Sequence, residues 1–167
     1  MNRSGAITLT TLALLFLLPS GAIGQQRSLK EQLVGTWTYV SVDTVRPDGS
    51  RVPMFGPNPT GLAIFDSNGR YLLLTARTGL PKFEANNRMG GTAAESEAVV
   101  QGSIAHFGRY TVNESEKTIT FQIQTSTFPN WNGTKQSRPI TLSGDELRWT
   151  TAASSGGTAE VILKRAK

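Results

Sequence analysis

The sequence predicts an all-β protein: an antiparallel up-and-down meander of eight to ten strands closed into a barrel, with a short N-terminal helical turn and one inserted helix. Three observations carry this. From residue 36 onward, short runs rich in Thr, Val, Ile and aromatics are separated by clusters of Gly, Asn, Asp and Ser. Those clusters hold tight-turn pairs, Asp48-Gly49, Asn68-Gly69 and Gly144-Asp145, which join antiparallel neighbours. Within TITFQIQT, Ile119, Phe121 and Ile123 fall on one face and Thr120, Gln122 and Gln124 on the other, the mark of a sheet with one apolar and one wet face. A meander with a single apolar face either splits into a sandwich or closes on itself, and hairpins between nearly all neighbours favour closure.

Taken in order, residues 1–24 read as a signal peptide: Arg3, an apolar run from Leu9 to Leu18, then Pro19, Ser20 and Gly21, with Ala22 and Gly24 set for a cut before Gln25. The apolar run is about ten residues, short of the ~20 that span a bilayer, so the expectation is an exported chain, periplasmic or secreted, with no stable membrane span after cleavage. Residues 25–167 then form a single domain of 143 residues. Ser28 and Glu31 have capping-box spacing ahead of one helical turn that ends before Gly35. Strands are expected at 36–44, 50–53, 61–66, 70–75, 107–112, 118–125, 135–142, 146–151 and 158–165. Between Thr75 and Phe107 lies a Gly- and Asn-rich loop and a helix starting near Thr92 or Ala93, with Ala94, Ala98 and Gln101 along one side and Glu95 and Glu97 along another. An insertion of that length in a meander usually serves a purpose; in a barrel it would lie over one mouth.

Composition removes several function classes. The leader carries one Arg and no acid, so the net charge falls from +5 to +4 on cleavage. That surplus is dispersed, which reads as a solvated surface and not a nucleic-acid footprint. There is no cysteine, hence no disulfide framework, no thiolate metal site and no cysteine nucleophile. With His106 the sole histidine, a multi-histidine metal site is excluded, and no cofactor is called for.

At Gly35-Thr36-Trp37 a Gly-x-Trp opens the first strand directly after a helical turn. With LVGTWTYVSV, the GPNPTG loop, SIAHFGRYTVNESEKTITFQIQTSTFPNWNGTKQSR and LSGDELRWTT, the chain resembles the bacterial and fungal lipocalin-like domain family of calycin-type barrels. The resemblance covers nearly the whole mature domain. It implies a cup-like interior and a small apolar or amphipathic ligand. It also implies that Trp37 closes the floor beside Gly35, with Arg165 or Lys164 packed across the indole. The cysteines of secreted animal lipocalins are missing here, so their specific transport roles do not carry over.

The aromatic side chains Tyr39, Phe65, Tyr71, Phe121 and Trp149 sit on strands and either line a cavity or fill a core. His106 begins a strand in which 106, 108 and 110 share a face, beside Tyr110. Two readings stay open for it: ligand orientation, or proton transfer in an isomerase or cyclase. No Gly-x-Ser-x-Gly frame or paired-carboxylate arrangement accompanies it, so no catalytic residue is assigned. Phe128 and Trp131 in FPNW stand where turns are usually polar, so this turn is expected to fold over a barrel end or onto the inserted helix. Arg77 and Arg138, near loop ends, either meet a carboxylate head group or stand as solvated charges. The functional expectation is an exported barrel that binds a small molecule, with a protein-contact scaffold or a barrel enzyme using His106 as alternatives. Oligomeric state is not legible.

Overall fold

The structure, a computed structural model, describes residues 27–167; the expected signal peptide lies outside the described residues. The nine strands are β1 Gly35–Val45, β2 Arg51–Pro53, β3 Thr60–Phe65, β4 Arg70–Ala76, β5 Ser103–Asn113, β6 Thr118–Ser126, β7 Lys135–Ser143, β8 Glu146–Ala152 and β9 Thr158–Arg165. Two helices accompany them, α1 Leu29–Leu33 and α2 Ala93–Gly102. Every strand pairs antiparallel with its neighbour, and β1 pairs with β9 to close the ring. The long strand β1 serves two neighbours on its other edge: β3 over Gly35–Thr38 and β2 over Asp43–Val45. The barrel is therefore eight strands, with β2 as an added flap at one end.

Inward positions follow the alternation read from sequence, with Ile119, Phe121 and Ile123 buried on β6 and Val161 and Leu163 on β9. One irregularity resets it. The register of β5 on β6 slips between Phe107 and Gly108, where Gln124 bulges out. Beyond that bulge the inward residue of β6 is Ser126, opposite His106, which simple alternation from Ile123 would not place inside.

The floor is sealed by α1. Its capping box is complete: Glu31 N donates to Ser28 Oγ (3.1 Å) and Ser28 N to Glu31 Oε2 (2.8 Å). The amides of Leu29 and Lys30 donate to the Glu114 carboxylate at 2.7 and 3.0 Å, tying the helix to the β5–β6 turn. Leu33 and Trp37 are fully buried, and the Trp37 indole N–H donates to Leu33 O at 2.9 Å. Arg165 lies 4.2 Å over the Trp37 ring and donates to the carbonyls of Val34 and Gln32, while Lys164 is exposed. Gly35 holds φ +129°, and a Cβ there would stand 3.2 Å from Arg165 Nη1; only glycine fits under the guanidinium.

The insertion contains α2, as expected. Ala94 and Gln101 are exposed, Glu95, Ala98 and Val99 are half-buried, and Gly102 is buried. Glu95 helps to set this side: its carboxylate accepts from Thr92 N (2.7 Å) in the capping box and from Glu84 N (2.9 Å) in the preceding loop, which draws that side of the helix onto the chain. After Gly102 the backbone runs straight into β5, four residues earlier than the expected strand start at 107.

Candidate ligand-binding site

Opposite the floor, a stack of rings rises toward the mouth. Phe121 meets Tyr71 edge-on with centroids 4.6 Å apart, and Tyr71 meets His106 at 5.4 Å. The Tyr71 hydroxyl and His106 Nδ1 share a 2.9 Å hydrogen bond. Above it the Trp131 ring stands perpendicular to His106 at 5.6 Å, and Phe128 packs edge-on against Trp131 at the same separation. The FPNW turn is a single 3₁₀ turn over Pro129–Trp131. It is fixed by Ser126 N donating to Asn132 Oδ1 (2.7 Å) and Thr134 Oγ1 donating to Trp131 O (2.7 Å). Of the two placements expected for the turn, Trp131 takes the first, lying against His106 at the barrel end, while Phe128 lines a groove that Val100 and Gln101 of α2 also line.

For Arg138 the sequence left open a head-group contact or a solvated charge, and the structure removes it from solvent. It is 3% exposed, in the middle of β7 and pointing inward between Phe121 and Trp149, with its guanidinium carbon 4.5 and 5.6 Å from the two ring centroids. One hydrogen bond anchors it, Nη2 to Gln136 Oε1 at 2.8 Å. No carboxylate pairs with it among the described residues. Its Nε and the Nε1 of Trp149 are buried donors with no partner. Arg77, by contrast, is exposed.

Burial dominates the electrostatics. It lowers the Arg138 guanidinium to about 10, so the cation persists at neutral pH. Burial, then the Arg138 charge, lowers His106 to about 3. Burial also pushes the Tyr39 and Tyr71 phenols up. The site at neutral pH is therefore one cation among neutral rings.

An inner cavity of about 60 Å³ lies against Arg138, His106, Trp131, Trp149, Tyr39 and Thr75. A vestibule of about 570 Å³ lies outside it. Met54, Phe55, Ile104 and Ser154 line both, so the two spaces meet at one rim, formed by the β2–β3 segment, the start of β5 and the β8–β9 turn. Of the candidates from sequence, Tyr39, His106, Trp131, Arg138 and Trp149 reach the cavity. Phe65, Tyr71, Tyr110 and Phe121 lie in the packed core below it, with the Tyr110 hydroxyl donating to Asp66 O at 2.7 Å. The rim residues Met54 and Phe55 escaped the sequence reading because strand alternation says nothing about residues in a connecting loop, and Ile104 because the expected strand began only at 107. Among the described residues no group of three metal-ligating side chains occurs, and no helix is long and apolar enough to cross a membrane.

The depressed His106 value makes stability depend on acid. The unfolded chain takes up this proton near the ordinary histidine value of 6.5 and the folded chain only near 3. Stability contributed by His106 is therefore complete above pH 6.5 and is lost as pH falls through that window, at up to about 1.4 kcal/mol per pH unit. Urea unfolding at pH 7 and pH 5 is expected to show this loss in the native protein and not in His106→Gln, in a range above the carboxylate titrations.

The eight-stranded ring, the Trp–Arg floor and the cavity at the opposite end define a small closed β-barrel of the kind that binds small hydrophobic ligands. Residues 34–164 match the model of the lipocalin-like domain, and the chain belongs to that family. A 4'-hydroxy-3'-methoxypropiophenone carrier protein of Aspergillus oryzae is 31% identical over 81 residues, 45% of this chain and 73% of that protein. Among solved structures, a lipocalin-like protein from Bacteroides uniformis is similar at 14% identity and a TM-score of 0.44, over 80% of this chain and 98% of its own. An uncharacterized protein from Bacteroides eggerthii has 13% identity and a TM-score of 0.42, over 79% and 98%.

Proposed function

We propose that the protein is exported and binds one small amphipathic molecule in the mouth of its barrel. The observation that carries this reading is the small inner cavity adjoining, across shared lining residues, a vestibule of about 570 Å³, a size within the roughly 300–1,000 Å³ of small-molecule sites. The family match and a relative named as a carrier of a small aromatic ketone support it. Export rests on the leader pattern of residues 1–24. The scaffold alternative calls for a solid interior and an exposed apolar patch; the cavity weighs against the first, while Leu62, Ile64, Leu72, Leu74 and Phe107 lie exposed side by side on the outer face of β3–β5 and favour the second. The enzyme alternative asks His106 to take a proton at neutral pH, where a group with a value of about 3 is a weak base.

Native mass spectrometry of the protein purified from its host without detergent, set against the same sample denatured, tests both parts. The expected result is a polypeptide mass matching residues 25–167 and an excess mass, lost on denaturation, that identifies the ligand. A full-length mass refutes export with cleavage. No excess mass, together with no binding of added apolar probes, refutes the carrier reading.

A further inference from the structure

We infer that the ligand carries an anionic carboxylate head, seated in the inner cavity against the Arg138 guanidinium and beside the Trp149 indole, with its apolar body in the vestibule. This rests on the binding reading above and adds the chemical class and the orientation of the ligand.

Two independent features lead to the head group. The first is Arg138 itself, 3% exposed, held by one neutral acceptor, Gln136 Oε1, and paired with no carboxylate among the described residues. A buried guanidinium commonly carries a counter-charge, because desolvating a cation costs several kcal/mol. The rings of Phe121 and Trp149 offset part of that cost through their faces, but they accept no hydrogen bond from Nε. The second feature is the Trp149 indole N–H, also buried and also without an acceptor. Both residues line the same cavity. A group that satisfies two N–H donors and neutralises a cation is an anion with more than one acceptor oxygen, which describes a carboxylate. Asp and Glu are missing from the cavity lining, so nothing there repels it.

Volume sets the orientation. The inner cavity, about 60 Å³, is well below the ~150 Å³ that holds a benzene, so it takes a head group and not a body. The body then lies across the shared rim of Met54, Phe55 and Ile104, beside Val100 of α2 and Phe128. A head-out arrangement would set the anion near Arg77, an exposed cation of the vestibule already served by solvent, and would leave the buried Arg138 charge uncompensated.

The experiment titrates the purified native protein with matched acids and alcohols: 4-phenylbutyrate against 4-phenylbutan-1-ol, and decanoate against decan-1-ol, by calorimetry at neutral pH. The acids are expected to bind at least about tenfold more tightly than the alcohols, the scale of a charge-assisted hydrogen bond. In Arg138→Met that preference is expected to vanish while alcohol binding survives. Trp149→Phe keeps the ring and loses the donor; its acid affinity is expected to fall about three- to tenfold with alcohol affinity unchanged. This second variant decides the matter if Arg138→Met fails to fold. Equal binding of acids and alcohols by the native protein, or an acid preference untouched in these variants, overturns the head-group assignment and leaves the carrier reading standing. Binding of neither class overturns both.

Discussion

Trp37→Ala is expected to lower the unfolding free energy by about 4 kcal/mol, measured by urea denaturation, and to leave the protein barely folded at 37 °C. The indole is fully buried and fills the space between α1 and the lower ends of the strands. Its removal leaves a cavity between α1 and the strand ends, lined by the buried Leu33. It also leaves Leu33 O without its donor and the Arg165 guanidinium without the ring it covers at 4.2 Å. A double-mutant cycle with Arg165→Met separates these terms. The coupling is expected to be about 1 kcal/mol, the worth of a partly desolvated cation over an aromatic face. Coupling indistinguishable from zero would mean that Arg165 holds the floor only through the carbonyls of Gln32 and Val34.

Gly108→Ala is expected to cost more than about 3 kcal/mol, an unusual penalty for a single methyl group. A Cβ at this position would lie 2.1 Å from Gln122 O and 2.9 Å from Gln124 N, both backbone atoms of β6. No rotamer change relieves a clash with backbone, so β5 and β6 would have to part at their bulge. Arg109→Ala, one residue along on the exposed face, is the control and is expected to stay within about 0.5 kcal/mol. Near-ultraviolet circular dichroism adds a local readout. Because the bulge sets which residues face inward beyond it, the variant is expected to lose signal from the His106–Trp131 stack even in conditions where far-ultraviolet signal survives.

Strand alternation and turn pairs made the barrel legible, because both are local and periodic. The last strand is legible to the residue at 158–165, and the resemblance puts Trp37 at the floor beside Gly35 with Arg165 or Lys164 across it, of which Arg165 takes the place. The site was less legible, for identifiable reasons. Arg138 shares its parity with Ile140 and Leu142 along β7, a signal that points it inward, but its charge argues for solvent and its nearness to the FPNW loop hid the alternation. Ser126 faces inward only because of a bulge, and bulges depend on the partner strand. The buried side of α2 turned on Glu95 reaching a loop amide eleven residues earlier in the chain, a contact no helical periodicity contains. Glu114, which reads as a turn residue, turned out to cap a helix 84 and 85 positions away.

The closure of the ring also has a consequence in time. Arg165 reaches back over 131 and 133 positions to the carbonyls it holds on Val34 and Gln32, and β1 finds its β9 partner at a similar distance along the chain. At a synthesis rate of roughly 5–20 residues per second, that edge of β1 waits on the order of ten seconds before its mate exists. A barrel cannot close in stages from its N-terminus, so closure is deferred until β9 has been made, and an open, hydrogen-bonding strand edge persists throughout that interval. The eight residues of β9 thus act as a completion check on the barrel: a ribosome that stops before them releases a polypeptide with most of its core residues and no way to enclose them.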